Sequence, residues 1–594
     1  MQHDANGDRC GQLQASAESM LQEACPPLSA SLYMRYQRDG NRSAFETAYF
    51  RRRTRLTTFV IGECMEHKGR FVDAVIDALW AIMEETTWCV PAHAEYGDND
   101  PLPLADRWTV DLFASETAAT LAEALFLLHD ELQAVSPSLL GRISDAIRER
   151  VLDPVLNRED IGWFSGRNNW APWCASNTLA AAMYTIDDRN YLARLTHRLM
   201  AVADRFIAGY PPDGGCDEGP HYWNVATGAL AVFLELLHSR SAGRIDIYDE
   251  PKLRAMGHYI VTVHLDGPWF AMFADTTTRV PLRRGMTYRL GERTHDPELM
   301  NLALLAAYDW DPAHTRPSGF ASQSGPLKLG TVLQELFWLP PEQRPERPRY
   351  PLSSWLPDSQ VLVARQSAEP ANGFVLAAKG GHNAESHNHN DIGQFIILLN
   401  GSPCVVDNGR PPYTRKTFGP RRYEIWCIRS TGHDVPIVNG IEQAPGEHFR
   451  ATEVQFDDTA ERAVLRMHLE QAYAQEAGLA ALIRELELDR TGDGAITLRD
   501  SYAMARGEAT MAVSLYTPET PVCEQRGVVR LNAVRGSLLV QYDPDVLKSR
   551  TEPVGPEDRD RLSWGDSLHR VRFTTVASLH TGAYELRFVP QGTE

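Results

Sequence analysis

The period of the hydrophobic pattern changes once along this chain, near residue 340, and that change limits the folds open to it. Before it, apolar residues recur at helical spacing. In FVDAVIDALWAIMEE they fall at Val72, Val75, Ile76, Leu79 and Ile82. ETAATLAEALFLLHDEL, SLLGRISDAIRERVLDPVL, RNYLARLTHRLMAVADRFI and NVATGALAVFLELLHS repeat that style between about 45 and 340, joined by connections such as YPPDGGCDEGP. The stretch WLPPEQRPERPRYPLSSWLPDS is Pro-rich and reads as a linker. Beyond it the period shortens towards two. QVLVARQ, NGFVLAAK, QFIILL, AVLRMHLEQAYA, MAVSLYTP and HRVRFTTVASL read as strands, and LELDRTGDGAITLRD as a hairpin.

Helices of similar length with no strands between them predict successive helical hairpins closing into an (α/α) toroid, an incomplete barrel, rather than an α/β sheet. The later pattern predicts an antiparallel β-sandwich. The expected chain is multidomain α+β, with the toroid over 1–345 and the sandwich over 346–594. Its 594 residues exceed one compact core, and 43% hydrophobic content suffices for several.

The net charge of -19 excludes a global basic footprint for nucleic acid and disfavours a membrane surface. A polyanionic ligand stays open, because salt screens distant surface charge beyond about 8–10 Å. No segment approaches the roughly 18–20 apolar residues of a membrane helix. MQHDANGDRCGQLQASAESM has no basic region followed by an apolar core, so no signal peptide is expected. Nine scattered cysteines without a CxxC pair favour reduced thiols. The expected location is the cytoplasm, or the periplasm if a leader has been removed.

Four clusters carry the polar chemistry. SGRNNWAPWCASN brings Arg167, Asn168, Asn169, Trp170 and Trp173 together before a helix. Rings that stack on sugars and amides that bond hydroxyls suit a glycan; the plain alternative is an N-cap with core tryptophans. PPDGGCDEGPHYWNVATG offers Asp213, Asp217, Glu218, His221 and Tyr222, or else a loop of capping carboxylates. AESHNHNDIGQFIILLNGSPCVVDNG holds His387, His389 and Asp391, spaced to share one face of a strand start, and then Asp407. YTRKTFGPRRYEIWCIRSTGHDVPIVNG offers Tyr413, Arg421, Arg422, Tyr423, Arg429 and His433, a local anion site or a solvated loop.

The order NNW, DEGPHYW, HNHNDIGQF, VVDNG and RSTGHDVPIVNG resembles the heparinase II/III-like polysaccharide lyases, which include alginate and oligoalginate lyases. The resemblance implies a toroid with a β-sandwich behind it and β-elimination on uronate-containing glycans. It implies that Asn169 neutralises the substrate carboxyl, that Tyr222 is the catalytic acid and in some members also the base, and that His387 reaches the active site. It gives His389, Asp407 and His433 as ligands of a structural Zn2+, and places Tyr423 where some exolytic members have a second tyrosine. Trp170 stands where many members have a histidine, for which His221 could compensate. Arg167, Asn168, Trp170, Trp173, Glu218, Tyr413 and Arg422 are the expected substrate-binding residues. The chemistry suits these roles. The proton beside a uronate carboxyl is barely acidic until that carboxyl is neutralised, and the reaction then needs a base and an acid for the leaving oxygen.

The expected function is an exolytic lyase on an acidic oligosaccharide or polysaccharide, with no nucleic-acid or membrane partner and homo-oligomers as in many relatives. The alternatives are a glycoside hydrolase using Asp213 with Asp217 or Glu218, and a non-catalytic glycan-binding protein.

Overall fold

A long apolar helix, Leu112–Leu127, sits near the middle of the helical half, and what packs on it shows how that half is built. Asp111 caps it, accepting from the Ala114 amide at 2.7 Å. The helix packs on Trp170–Thr185, which packs in turn on Arg189–Gly209 and Thr227–Arg240. The last helix, Leu329–Phe337, returns to touch both Leu112–Leu127 and Ser43–Glu66. The two ends of the helical run therefore meet, although the helices close no barrel among the described residues. The computed structural model describes residues 7–308, 310, 327–340, 343–554, 564 and 568–591. Part of the helical reading, at 309 and 311–326, and residues 341–342 of the linker lie outside them.

Two differences from the sequence reading stand out in this half. Helices begin at Gly7, well before residue 45. A short hairpin, His264–Asp266 with Trp269–Phe270, interrupts them where no strand was expected. Gly267 turns it with a positive φ of 49°.

In the β half, strands begin at Ser353. One sheet has five antiparallel strands: Ser353–Leu356, Val361–Arg365, Phe374–Lys379, Phe395–Leu399 and Ser402–Val405, in that order. An eight-stranded antiparallel sheet contains the expected hairpin, with Leu479–Asp489 paired to Ala495–Met504. A four-stranded sheet and a two-stranded one, His382–Asn383 with Gly446–Arg450, also belong to this half. Leu362, Leu376, Phe395 and Ile397 face the eight-stranded sheet and share a core with Leu465, Leu486 and Leu498. Alternate residues of the same strands, Val363, Val375, Ile396 and Leu398, join the core of the helical half. The five-stranded sheet is thus buried on both faces, which is why QFIILL is apolar without alternation.

Candidate active site

The helical half and the β half meet at a cleft of about 790 Å³. Asn169, Trp173 and Tyr222 line it from the helices; His387, Arg410 and Tyr413 line it from the β side.

The turn before Pro220–Trp223 depends on Gly219, whose φ is +88°. A Cβ there would lie 2.4 Å from the Phe273 carbonyl. Only glycine permits this approach, and it brings Glu218 and Tyr222 beside the loop that carries Asp275. Glu218 is buried and fixes Asn169 twice, accepting from its backbone N at 2.9 Å and from its Nδ2 at 2.5 Å. The carboxylate thereby sets the amide's orientation and leaves Asn169 Oδ1 buried without a partner among the described residues.

His387 has a left-handed φ of 59° and lies in a loop, since the strand starts only at Phe395. The expected period-two face therefore does not form. Asp391 turns instead to Lys379 Nζ, 3.0 Å away. His387 Nδ1 meets Asp275 Oδ2 at 2.7 Å, and its Nε2 meets Glu218 Oε2 at 3.2 Å. Burial alone would lower its pKa, but the bonds to Asp275 and Glu218 outweigh that and push it up to about 9. With both nitrogens engaged by carboxylates, it is an imidazolium at neutral pH.

The Tyr222 ring stacks on His387 at 4.0 Å, and its hydroxyl lies 2.5 Å from that of Tyr413. Tyr413 also donates to Asp275 Oδ2 at 3.1 Å. Burial, with Asp275 nearby, raises both phenols above their ordinary pKa; Arg410 opposes this. The Arg410 guanidinium lies 5.0 Å from the Tyr413 ring.

Behind the cleft, His389, Asp407 and His433 are all buried, and one ligand atom of each lies within 4.8 Å of the others. His389 Nδ1 and His433 Nε2 are buried with no partner among the described residues. His389 Nε2 is bonded to Asp275 Oδ1 at 2.9 Å, the outer-shell carboxylate that commonly orients a metal-bound imidazole. Burial also favours its neutral, metal-binding form. This N, O, N set fits a zinc ion and leaves a fourth position.

No protein-family profile matches this chain, and no curated protein sequence does. Solved structures do match. A heparinase III structure aligns with TM-score 0.67 and 14% identity over 100% of this chain and 86% of its own. The chain has the heparinase III fold. The heparan sulfate lyase HepC from Pedobacter heparinus aligns with TM-score 0.61 and 12% identity, over 100% of this chain and 84% of that one. A chondroitin AC lyase mutant from Streptomyces coelicolor A3 gives TM-score 0.55 and 12% identity, over 100% and 80%.

On this heparinase III fold several expected residues are placed differently. Arg422 does not line the cleft. Its guanidinium holds the Asn388 carbonyl at 2.8 and 3.0 Å and the Thr417 carbonyl at 2.7 Å, because the 413–422 loop folds back on itself. Tyr423 packs beside Ile428 and Tyr516 and accepts from Asn388 Nδ2 at 3.1 Å. The second tyrosine at the cleft is Tyr413. Arg167 is exposed on a separate, smaller pocket, whereas Asn168 lines the cleft as expected, its Oδ1 also capping the Trp170 amide at 3.1 Å. Glu218 holds Asn169 and His387. His221 lines the cleft with Nδ1 3.1 Å from Thr277 Oγ1, and burial lowers its pKa to about 3. Trp170 and Trp173 line the cleft as expected, Trp170 packed on His93 at 4.6 Å and Trp173 under Lys328 Nζ at 4.2 Å.

Asp213 is spent on the join between the two halves. It accepts from Asp358 N at 2.8 Å, Ser359 N at 2.9 Å and Ser359 Oγ at 3.0 Å. Sequence reasoning missed Asp275, which sits in FADTTTR with no motif around it. It also missed Arg410, although Arg410 directly follows VVDNG.

Proposed function

We propose that this protein is a polysaccharide lyase that cleaves a uronate-containing glycan by β-elimination. The observation that carries the reading is the Tyr222–Tyr413 hydroxyl pair, 2.5 Å apart, set against His387 in a cleft that also presents the Asn169 amide. Asn169 Oδ1 suits the O–H of a protonated substrate carboxyl, the form whose neighbouring C–H proton is most easily removed. Arg410 and the His387 imidazolium balance the negative charge that develops on that carboxyl. Tyr222 gives its proton to the leaving glycosidic oxygen, and Tyr413 takes the proton from carbon while its own hydroxyl proton passes to Asp275 Oδ2, 3.1 Å away. His389, Asp407 and His433 would hold the zinc, which ties the loop carrying His387 to the β core. An exolytic action on imported oligosaccharides extends this reading, and nine free thiols support a reducing compartment.

The hydrolase alternative is less well supported, since Asp213, Asp217 and Glu218 each accept internal hydrogen bonds. Ultraviolet absorbance of unsaturated uronate tests the two. Purified protein is incubated with alginate, heparan, chondroitin, hyaluronan and glucuronate-containing exopolysaccharide oligomers. A rise on one of them is expected. Reducing sugar released with no rise on any would overturn elimination in favour of hydrolysis.

A further inference from the structure

Besides the His387 imidazolium, which Asp275 and Glu218 hold, four Arg and Lys side chains line the cleft: Arg42, Arg283, Lys328 and Arg410. Two of them are neutralised at once. Arg42 is ion-paired with Glu46, and Lys328 Nζ lies 2.6 Å from Glu116. Arg410 belongs to the tyrosine pair described above. Arg283 remains. It pairs with no carboxylate among the described residues, and its bonds go to neutral oxygens: Gln334 Oε1 at 3.0 Å, Thr331 Oγ1 at 3.3 Å and the Asn224 carbonyl at 3.4 Å. Its Nε is buried without a partner among the described residues. These acceptors fix the guanidinium at one place on the helical wall without an ion pair in contact; Glu116 and Glu335 act on its charge only from further away, and each is already paired, with Lys328 and with Arg284.

Glu123, which lines a neighbouring pocket together with Arg283, adds little further negative charge. Burial pushes its pKa up to about 8, so it is largely neutral at pH 7. The same wall carries Trp173, an aromatic surface for a sugar ring.

We propose that Arg283, beside Trp173, forms a second anion-binding subsite, which takes the carboxylate or sulfate of the sugar adjoining the one cleaved. This rests on the glycan-lyase reading and adds a substrate class to it: glycans acidic on neighbouring sugars. Arg283 gives the adjoining anion planar, charge-assisted donors, while Asn169 and Arg410 engage the reacting carboxyl.

Calorimetry with full-length Tyr222→Phe protein, which leaves substrate intact, tests the subsite. One pair of probes shares a glucuronate–glucosamine tetrasaccharide backbone, N-acetylated or N-sulfated; a trimannuronate supplies the carboxylate arm. The N-sulfated or the all-carboxylate probe is expected to bind about tenfold more tightly than the N-acetylated one, equivalent to about 1.4 kcal/mol. Adding Arg283→Gln should bring that ratio close to one. A ratio near one before the substitution, or one that survives it, overturns the subsite. If Arg283→Gln fails to fold, Arg283→Lys carries the test, because loss of the planar fork must also reduce the ratio. Absorbance assays on the unsubstituted enzyme are read separately. A preserved binding ratio without any absorbance rise sinks elimination and leaves the subsite standing; elimination without the ratio sinks the subsite alone.

Discussion

Asp275 bonds two histidines with its two oxygens, His387 Nδ1 at 2.7 Å and His389 Nε2 at 2.9 Å. Burial would raise its pKa, but these bonds and Arg422 hold it well below the carboxylate range. One buried carboxylate therefore orients both the imidazole at the cleft and the imidazole of the metal set. Asp275→Asn should weaken zinc binding about 10–100-fold and reduce turnover together. Zinc retained after dialysis and steady-state rates check this. Full zinc retention in a slow variant would mean that the carboxylate serves the cleft alone.

Tyr222→Phe removes one hydroxyl whose recorded partner is Tyr413. Turnover should fall about 10²–10⁴-fold while stability changes by no more than about 1 kcal/mol. Tyr413→Phe should fall comparably, and Tyr423→Phe should not, because Tyr423 lies away from the cleft. Parallel kinetics on the three variants decide it. Loss confined to the Tyr423 variant would reverse the assignment.

His389→Ala should lower both metal content and melting temperature, since it removes one of three buried ligands and leaves Asp275 with a lost partner. Metal analysis and thermal melts, with and without added zinc, check this. Zinc should stabilise the parent and not the variant. A parent that binds no zinc, with stability unaltered in the variant, would rule out the metal centre.

Acid should act on His264. Its Nδ1 lies 2.5 Å from Tyr350 Oη and its Nε2 2.7 Å from the Gly267 carbonyl. Burial lowers its pKa to about 3, against about 6.5 in an unfolded chain. The unfolded state thus binds a proton that the fold refuses. Stability from this residue is complete above pH 6.5 and is lost as pH falls towards 3, by about 1.4 kcal/mol per pH unit. In urea unfolding, the deficit of His264→Gln relative to the parent should shrink by about 2–3 kcal/mol between pH 7 and pH 4.5. An equal deficit at both pH values would contradict the neutral, buried imidazole.

Asp213→Ala should cost about 1–3 kcal/mol of stability, because four donors lose their acceptor, and should leave elimination running. A folded variant without turnover would return Asp213 to the catalytic candidates.

The two halves and their order were readable in the sequence because periods of 3.6 and 2 are local, and each helix or strand declares its buried side within a few residues. The grouping of His389, Asp407 and His433 came from the family resemblance and not from local spacing, which pointed instead to His387, His389 and Asp391; the fold brings the first set together. Tertiary structure alone decided which side chains meet. Asp275 lies 112 residues from His387, and nothing in FADTTTR marks it, since a single acid in a loop is locally indistinguishable from a solvated one. The exchange of Tyr423 for Tyr413 has the same origin. Both stand in one aromatic, basic loop, and only the fold-back held by Arg422 turns one towards the cleft and the other into the core. Arg283 was invisible for a further reason. Its significance is that no carboxylate among the described residues touches it, and that is a property of the space around a charge, set by the packing of helices distant in sequence.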